Sequence, residues 1–176
     1  ALVTSGEGMK PWNPWRKNAH YILENFRAAL DTPGEWFLDK DGTLLYRPRP
    51  GQKPSDQIAV APRADKFLIV AGDPVAGRFV QHLSFDGLTF EHGQWITGPE
   101  GFEPAQAASP IEAAVQIDGA RHVHIENCEV ARLGTYAVWF RKGCRDCLLR
   151  RCLVADFGAG GVRIGETGIT KNPNEE

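Results

Sequence analysis

Between residues 80 and 165 apolar side chains fall on alternate positions in short runs, and the same run recurs. Residues 120–141 superpose on residues 144–165 at a constant offset of 24. Val123 then meets Cys147, Ile125 meets Leu149, Cys128 meets Cys152, Val130 meets Val154, Gly134 meets Gly158, Val138 meets Val162 and Phe140 meets Ile164. Residues 80–92 form a third copy at an offset of 40, with Leu83, Phe85, Leu88 and Phe90 in the apolar places. The 16 additional residues fit within 93–110, a stretch rich in Gly, Pro and Ala, and are assigned to a protruding loop. Self-similarity at a period between 20 and 50 residues marks a solenoid.

The spacing inside each copy says which kind. Val123 and Ile125, Cys128 and Val130, and Val138 and Phe140 alternate as strands do. Two-residue breaks at Glu126-Asn127, Arg150-Arg151 and Asp86-Gly87 shift the phase, as a corner would, and Gly134 and Gly158 mark the next corner. Three short strands per 24-residue coil describe an all-β fold, a parallel β-helix; the LxxLxLxxN pattern of leucine-rich repeats is absent. Coils stack at about 4.8 Å, so inward side chains form ladders of like residues. Cys128 over Cys152 is one step of such a ladder, which permits a disulfide without requiring it.

The first third of the chain reads differently. Leu23, Phe26, Ala29 and Leu30 have helical spacing and are followed by Asp31-Thr32-Pro33-Gly34 as a stop. Residues 35–38, 39–42 and 43–46 read as strand, turn and strand, a hairpin, and 47–54 as a Pro/Gly-rich linker. Ile58–Val60 and 67–70 are further predicted strands. The expected organisation is therefore a helix and hairpin insertion with its linker over 1–65, and β-helix coils over 66–176.

Composition narrows the function. The 176 residues are 42% hydrophobic and 24% charged, an ordinary globular mixture. A net charge of −2 lacks the basic excess of a nucleic-acid binder, and no apolar run approaches the roughly 18 residues of a membrane span. The four cysteines, Cys128, Cys144, Cys147 and Cys152, include a CxxC, but its neighbours read as strand and no second ligand pair stands at zinc spacing. Buried structural cysteine is the expectation, with no metal site. The chain starts without Met and stops after a Gly-rich stretch, and is expected to be a piece of a longer polypeptide.

A specific resemblance joins these parts. Tyr21-Ile22-Leu23-Glu24-Asn25-Phe26, Ala28-Ala29-Leu30-Asp31, Pro33 through Asp39 and Gly42 through Tyr46 resemble a signature of large bacterial right-handed parallel β-helix proteins. These have the pectate-lyase-like fold, and some are classed with glycoside hydrolases. Residues 133–140 and 158–166 are similar to coils of the same proteins. The resemblance, over about residues 15–166, implies a right-handed β-helix, activity on carbohydrates and an extracellular or periplasmic location.

A filled interior leaves outward residues and corner loops to carry chemistry. Gln116, Trp139 and Arg163 fall outward on three successive coils, and an exposed indole beside amide and guanidinium donors suits a sugar ring. If the 93–110 loop or the N-terminal subdomain covers Trp139, the same row is structural. His92, Arg132 and Asp156 make a second row at a corner. Glycoside hydrolysis uses two carboxyl groups. Asp156, whose carboxylate form Arg132 would favour, is the first candidate, Glu166 its partner and Asp118 a third choice. A plain ion pair between Arg132 and Asp156 fits equally. Asp86, Glu126 and Arg150 read as a solvated charge ladder, and His82, His122 and Asp146 as a stacked polar corner. No phosphate loop, GxSxG or HExxH occurs.

Three functions stay open. One is a glycoside hydrolase acting on a poly- or oligosaccharide without a cofactor. A second is a polysaccharide lyase, which would abstract a sugar C5 proton and often needs Ca²⁺. The third is a non-catalytic glycan-binding or surface-structural β-helix.

Overall fold

The computed structural model describes residues 18, 20, 22–99, 101–102, 106–166, 168 and 170–175. The chain divides into two compact units, Ala1–Ala59 and Val60–Glu176. In the first, β1 (Trp36–Leu38) and β2 (Leu44–Tyr46) form the expected antiparallel hairpin, with Trp36 opposite Tyr46 and Leu38 opposite Leu44. Its turn closes because Gly42 takes a φ of 88° and the Asp41 carboxylate accepts the Thr43 N–H at 2.9 Å. The helix expected over 23–30 is not there. A single 3₁₀ turn, Arg27–Ala29, takes its place. Asn25 is left-handed (φ 59°) and Phe26 is extended, so i to i+4 bonding cannot run through them despite the apolar spacing.

The second unit holds twelve strands among the described residues. They are β3 (Leu68–Ala71), β4 (Val80–Gln81), β5 (Ser84–Asp86), β6 (Thr89–Gly93), β7 (Ala113–Asp118), β8 (Ala120–Arg121), β9 (His124–Glu126), β10 (Glu129–Leu133), β11 (Tyr136–Phe140), β12 (Leu148–Arg150), β13 (Leu153–Phe157) and β14 (Gly160–Ile164). The segment Ile58–Val60 is not among them. All pairings in this unit's sheets are parallel, and the sheets run β3-β7-β11-β14, β4-β8, β5-β9-β12 and β6-β10-β13. The chain visits the sheets in turn and returns to each beside its previous strand. The arrangement is nearly all β, with no α-helix among the described residues, and is compatible with an all-β solenoid.

The register matches the sequence repeat residue for residue. Val130 pairs with Val154 and with Phe90, Ile125 with Leu149 and Phe85, Val138 with Val162, and Phe140 with Ile164. One pairing was not anticipated: β4 with β8, continued by a bridge from Arg121 to Arg145. A two-residue strand is too short to show alternation.

Inward positions build the core. Val115, Ile117, Val123, Ile125, Val130 and Val138 are fully buried. Corners form where one residue per circuit turns left-handed. His82, His122 and Asp146 make one column, Gly87, Asn127 and Arg151 a second, and His92, Arg132 and Asp156 a third, all at φ between 52° and 68°. For non-glycine residues this conformation costs roughly 1–2 kcal/mol, sustained by paired strands on either side. The His82 and His122 rings stack at 4.9 Å, as a stacked polar corner requires. All four cysteines are free thiols. Cys144, Cys147 and Cys152 each donate to a carbonyl of the preceding circuit, those of Ile117, Ala120 and Ile125. The Ile117 and Ala120 carbonyls also accept the Arg141 and Arg145 N–H, so there the thiol is a second donor to an oxygen with two lone pairs. No helix is long and apolar enough to cross a membrane among the described residues.

Candidate functional site

The outward row on β3, β7, β11 and β14 exists as register: Ile69 beside Gln116, Gln116 beside Trp139, Trp139 beside Arg163. Its exposure does not follow the expectation. Trp139 is only 5% and Gln116 only 6% exposed. The Arg163 guanidinium lies 3.7 Å from the indole centroid and that of Arg141 lies 4.7 Å from it. The indole N–H donates to the Gly165 carbonyl at 2.8 Å, and Arg163 Nη1 donates to the Ser109 carbonyl at 2.5 Å. Part of the inserted segment therefore reaches the row, and Trp139 is a clamped ring with no open face for a sugar.

At the downstream end of this sheet two carboxylates share one guanidinium. Arg141 Nε is 2.9 Å from Glu166 Oε1, and Nη1 is 3.5 Å from Asp118 Oδ2. The carboxylates are therefore no more than about 9 Å apart, below the roughly 9.5 Å upper limit of glycosidase pairs. The side chain of Asp118 is 14% exposed, against 30% for Glu166. Burial pushes the Asp118 carboxyl above its usual range, opposed by the Arg141 charge and by a hydrogen bond from Gln116. Asp118 Oδ1 and Gln116 Oε1 are both buried acceptors without a donor among the described residues. Such atoms cost about 1–3 kcal/mol each.

The corner row is differently disposed. Arg132 does not pair with Asp156. It binds Glu91 on the preceding circuit and stands 3.7 Å from Glu129. His92 lies 3.7 Å from the same Glu91. Asp156 is exposed and has no ion pair among the described residues. Asp156 and Glu166 flank opposite ends of β14, five residues that span roughly 13 Å, so these two are too far apart to act on one glycosidic bond. Arg141, which organises the cluster that does form, was missed. Its place two residues after Trp139 on the same outward face was the available signal.

A cavity of about 360 Å³ lies at the upstream end of the same sheet, where the inserted segment returns to β7. Trp95 and Phe102 meet edge to face at 5.0 Å, and Lys66 Nζ is 2.5 Å from Glu112 Oε2. The Glu112 carboxylate holds the Lys66 ammonium above its ordinary value. No group of three or more His, Cys, Asp or Glu side chains is arranged to hold a metal ion among the described residues.

No family model and no curated protein matches the chain. A solved structure titled "Glycoside hydrolase" is similar to it, with a TM-score of 0.68 and 24% sequence identity. The match covers 84% of this chain and 30% of that one, so the chain spans under a third of that protein's length. The likeness establishes a shared fold.

Proposed function

We propose that this chain belongs to a right-handed parallel β-helix protein that acts on carbohydrates, as a glycoside hydrolase working through Asp118 and Glu166. The observation that carries this reading is the pair of carboxylates bracketing Arg141, no more than about 9 Å apart, within reach of one glycosidic bond. The fold shared with a protein titled as a glycoside hydrolase supports it. The environments divide the roles. Asp118, largely buried and raised in pKa, is the proton donor to the leaving oxygen; Glu166, held on Arg141 Nε and more open to solvent, is the base or nucleophile. A proton on Asp118 also supplies a donor to the region where two buried acceptors lack one. Acid/base chemistry of this kind needs no cofactor.

The test is mass spectrometry of products after the full-length protein meets a panel of poly- and oligosaccharides. Products heavier by one water per cleavage are expected, with turnover reduced about 100-fold or more in Asp118→Asn and in Glu166→Gln, and unchanged in Asp156→Asn. Unsaturated products formed without water would make the protein a lyase. Full turnover in both variants would remove Asp118 and Glu166 from the mechanism.

A further inference from the structure

The upstream cavity has the parts of a recognition site. Trp95 and Phe102 are 39% and 40% exposed, and their edge-to-face contact fixes the indole plane while leaving ring surface open. The base of the segment that carries Trp95 is anchored. Gln94 N–H donates to the Ala64 carbonyl at 2.9 Å, and the Gln94 side-chain amide donates to the Arg63 carbonyl at 2.8 Å. The Trp95 backbone also rests on Gly134, where an added Cβ would stand 2.8 Å from Trp95 N. An aromatic surface held this way is pre-organised, so little ordering is left for a ligand to impose.

The polar lining adds chemistry. Lys66, Glu112, Asp65, Gln94 and Thr135 face the same space, and Glu112 is still half exposed despite its ion pair. Ammonium and carboxylate side by side offer a donor and an acceptor to adjacent hydroxyls. Two carboxylates against one ammonium leave the lining with net negative charge, which repels an acidic ligand and imposes no such penalty on a neutral one. The volume falls near the lower end of small-ligand sites, about 300–1,000 Å³, the scale of a short saccharide.

We infer that this cavity is a subsite for a neutral sugar residue, packed on Trp95 with its hydroxyls bonded to the Lys66–Glu112 pair, and that it discriminates against uronic acids. The inference rests on the carbohydrate reading above and names the class of glycan, but it does not depend on the catalytic assignment.

Isothermal titration of the full-length Asp118→Asn protein tests it. The probes are cellohexaose, xylohexaose, mannohexaose and a galacturonate hexamer. At least one neutral hexamer is expected to bind more tightly than the galacturonate hexamer. Trp95→Ala should weaken that binding at least tenfold with an unchanged circular dichroism spectrum, Trp95→Phe should restore most of it, and Lys66→Met should weaken it severalfold. Binding of a neutral hexamer with no response to Trp95→Ala would overturn the subsite and leave the carbohydrate reading standing. Preference for galacturonate would overturn the selection by charge. Silence of all four probes, together with no cleavage across the wider panel, would overturn both readings.

Discussion

The guanidinium carbon of Arg163 stands 3.7 Å from the centre of the Trp139 ring, a strand pairing away on the adjacent circuit, and Nη1 of the same arginine reaches the Ser109 carbonyl. One side chain thus ties β14 to β11 and to the inserted segment. Replacing Arg163 by Ala removes a cation–π contact of about 0.5–2 kcal/mol and a charge-assisted hydrogen bond. A loss of about 1–3 kcal/mol in urea titration is expected, with a red shift in fluorescence as Trp139 meets water. An unchanged midpoint would show that the clamp contributes nothing.

Asp118→Asn should separate activity from stability. An acid whose folded pKa is raised contributes stability that is full below the unfolded value, near 3.8, and lost as pH rises through the folded value. At neutral pH Asp118 therefore weighs against folding, as a buried carboxylate or through the proton it must take up, and the neutral amide does not. The variant should melt higher than the parent at pH 7, and this advantage should vanish below about pH 4. Melting curves at the two pH values decide it; equal curves at pH 7 would show that Arg141 fully offsets the burial.

These residues also show how far the sequence can be read. Offsets of 24 and 40 were legible because inward ladders demand like residues at like positions, and the pairings of Val130 with Val154 and Phe90, Ile125 with Leu149 and Phe85, Val138 with Val162, and Phe140 with Ile164 recur in the register. The row of Gln116, Trp139 and Arg163 was legible for the same reason. What covers an outward residue was not legible. Alternation assigns Trp139 to the outer face, but its burial depends on Arg163, Arg141 and Ser109, which no local pattern connects. The pairing of Asp156 with Glu166 failed because closeness in sequence says little when a whole strand lies between. Arg27–Ala29 shows a propensity argument defeated by one left-handed asparagine.

Gly158→Ala probes a tight corner. A Cβ there would lie 2.7 Å from the Gly134 carbonyl oxygen, a backbone atom held on the neighbouring circuit. Because the obstacle is backbone, the cost should be about 1–3 kcal/mol in denaturant titration. Gly165→Ala has nothing within 4 Å of the added carbon, but φ is 75° there, so its cost is the smaller one of backbone strain, about 1 kcal/mol.

Cys144 gives a prediction at alkaline pH. Burial pushes its thiol from 9.0 to about 11, so its contribution to stability is complete below pH 9 and is lost as pH rises from 9 to 11. The loss attributable to this group is on the order of 2–3 kcal/mol, read as the part of the alkaline slope that disappears in Cys144→Ala. At pH 8 the native chain should resist iodoacetamide at Cys144, since the thiolate is the nucleophile. Rapid modification there would contradict the assignment.

Residues 94–112 join β6 to β7, while 134–135 and 158–159 complete the equivalent corner of the next two circuits, and the strands on either side keep the same register. Lengthening a loop is cheap, about 0.6 kcal/mol per doubling. Heredity can therefore rewrite what this corner recognises while leaving the inherited ladder untouched: new ligands come by exchanging one excursion of the chain, and the rest of the molecule need not be reinvented.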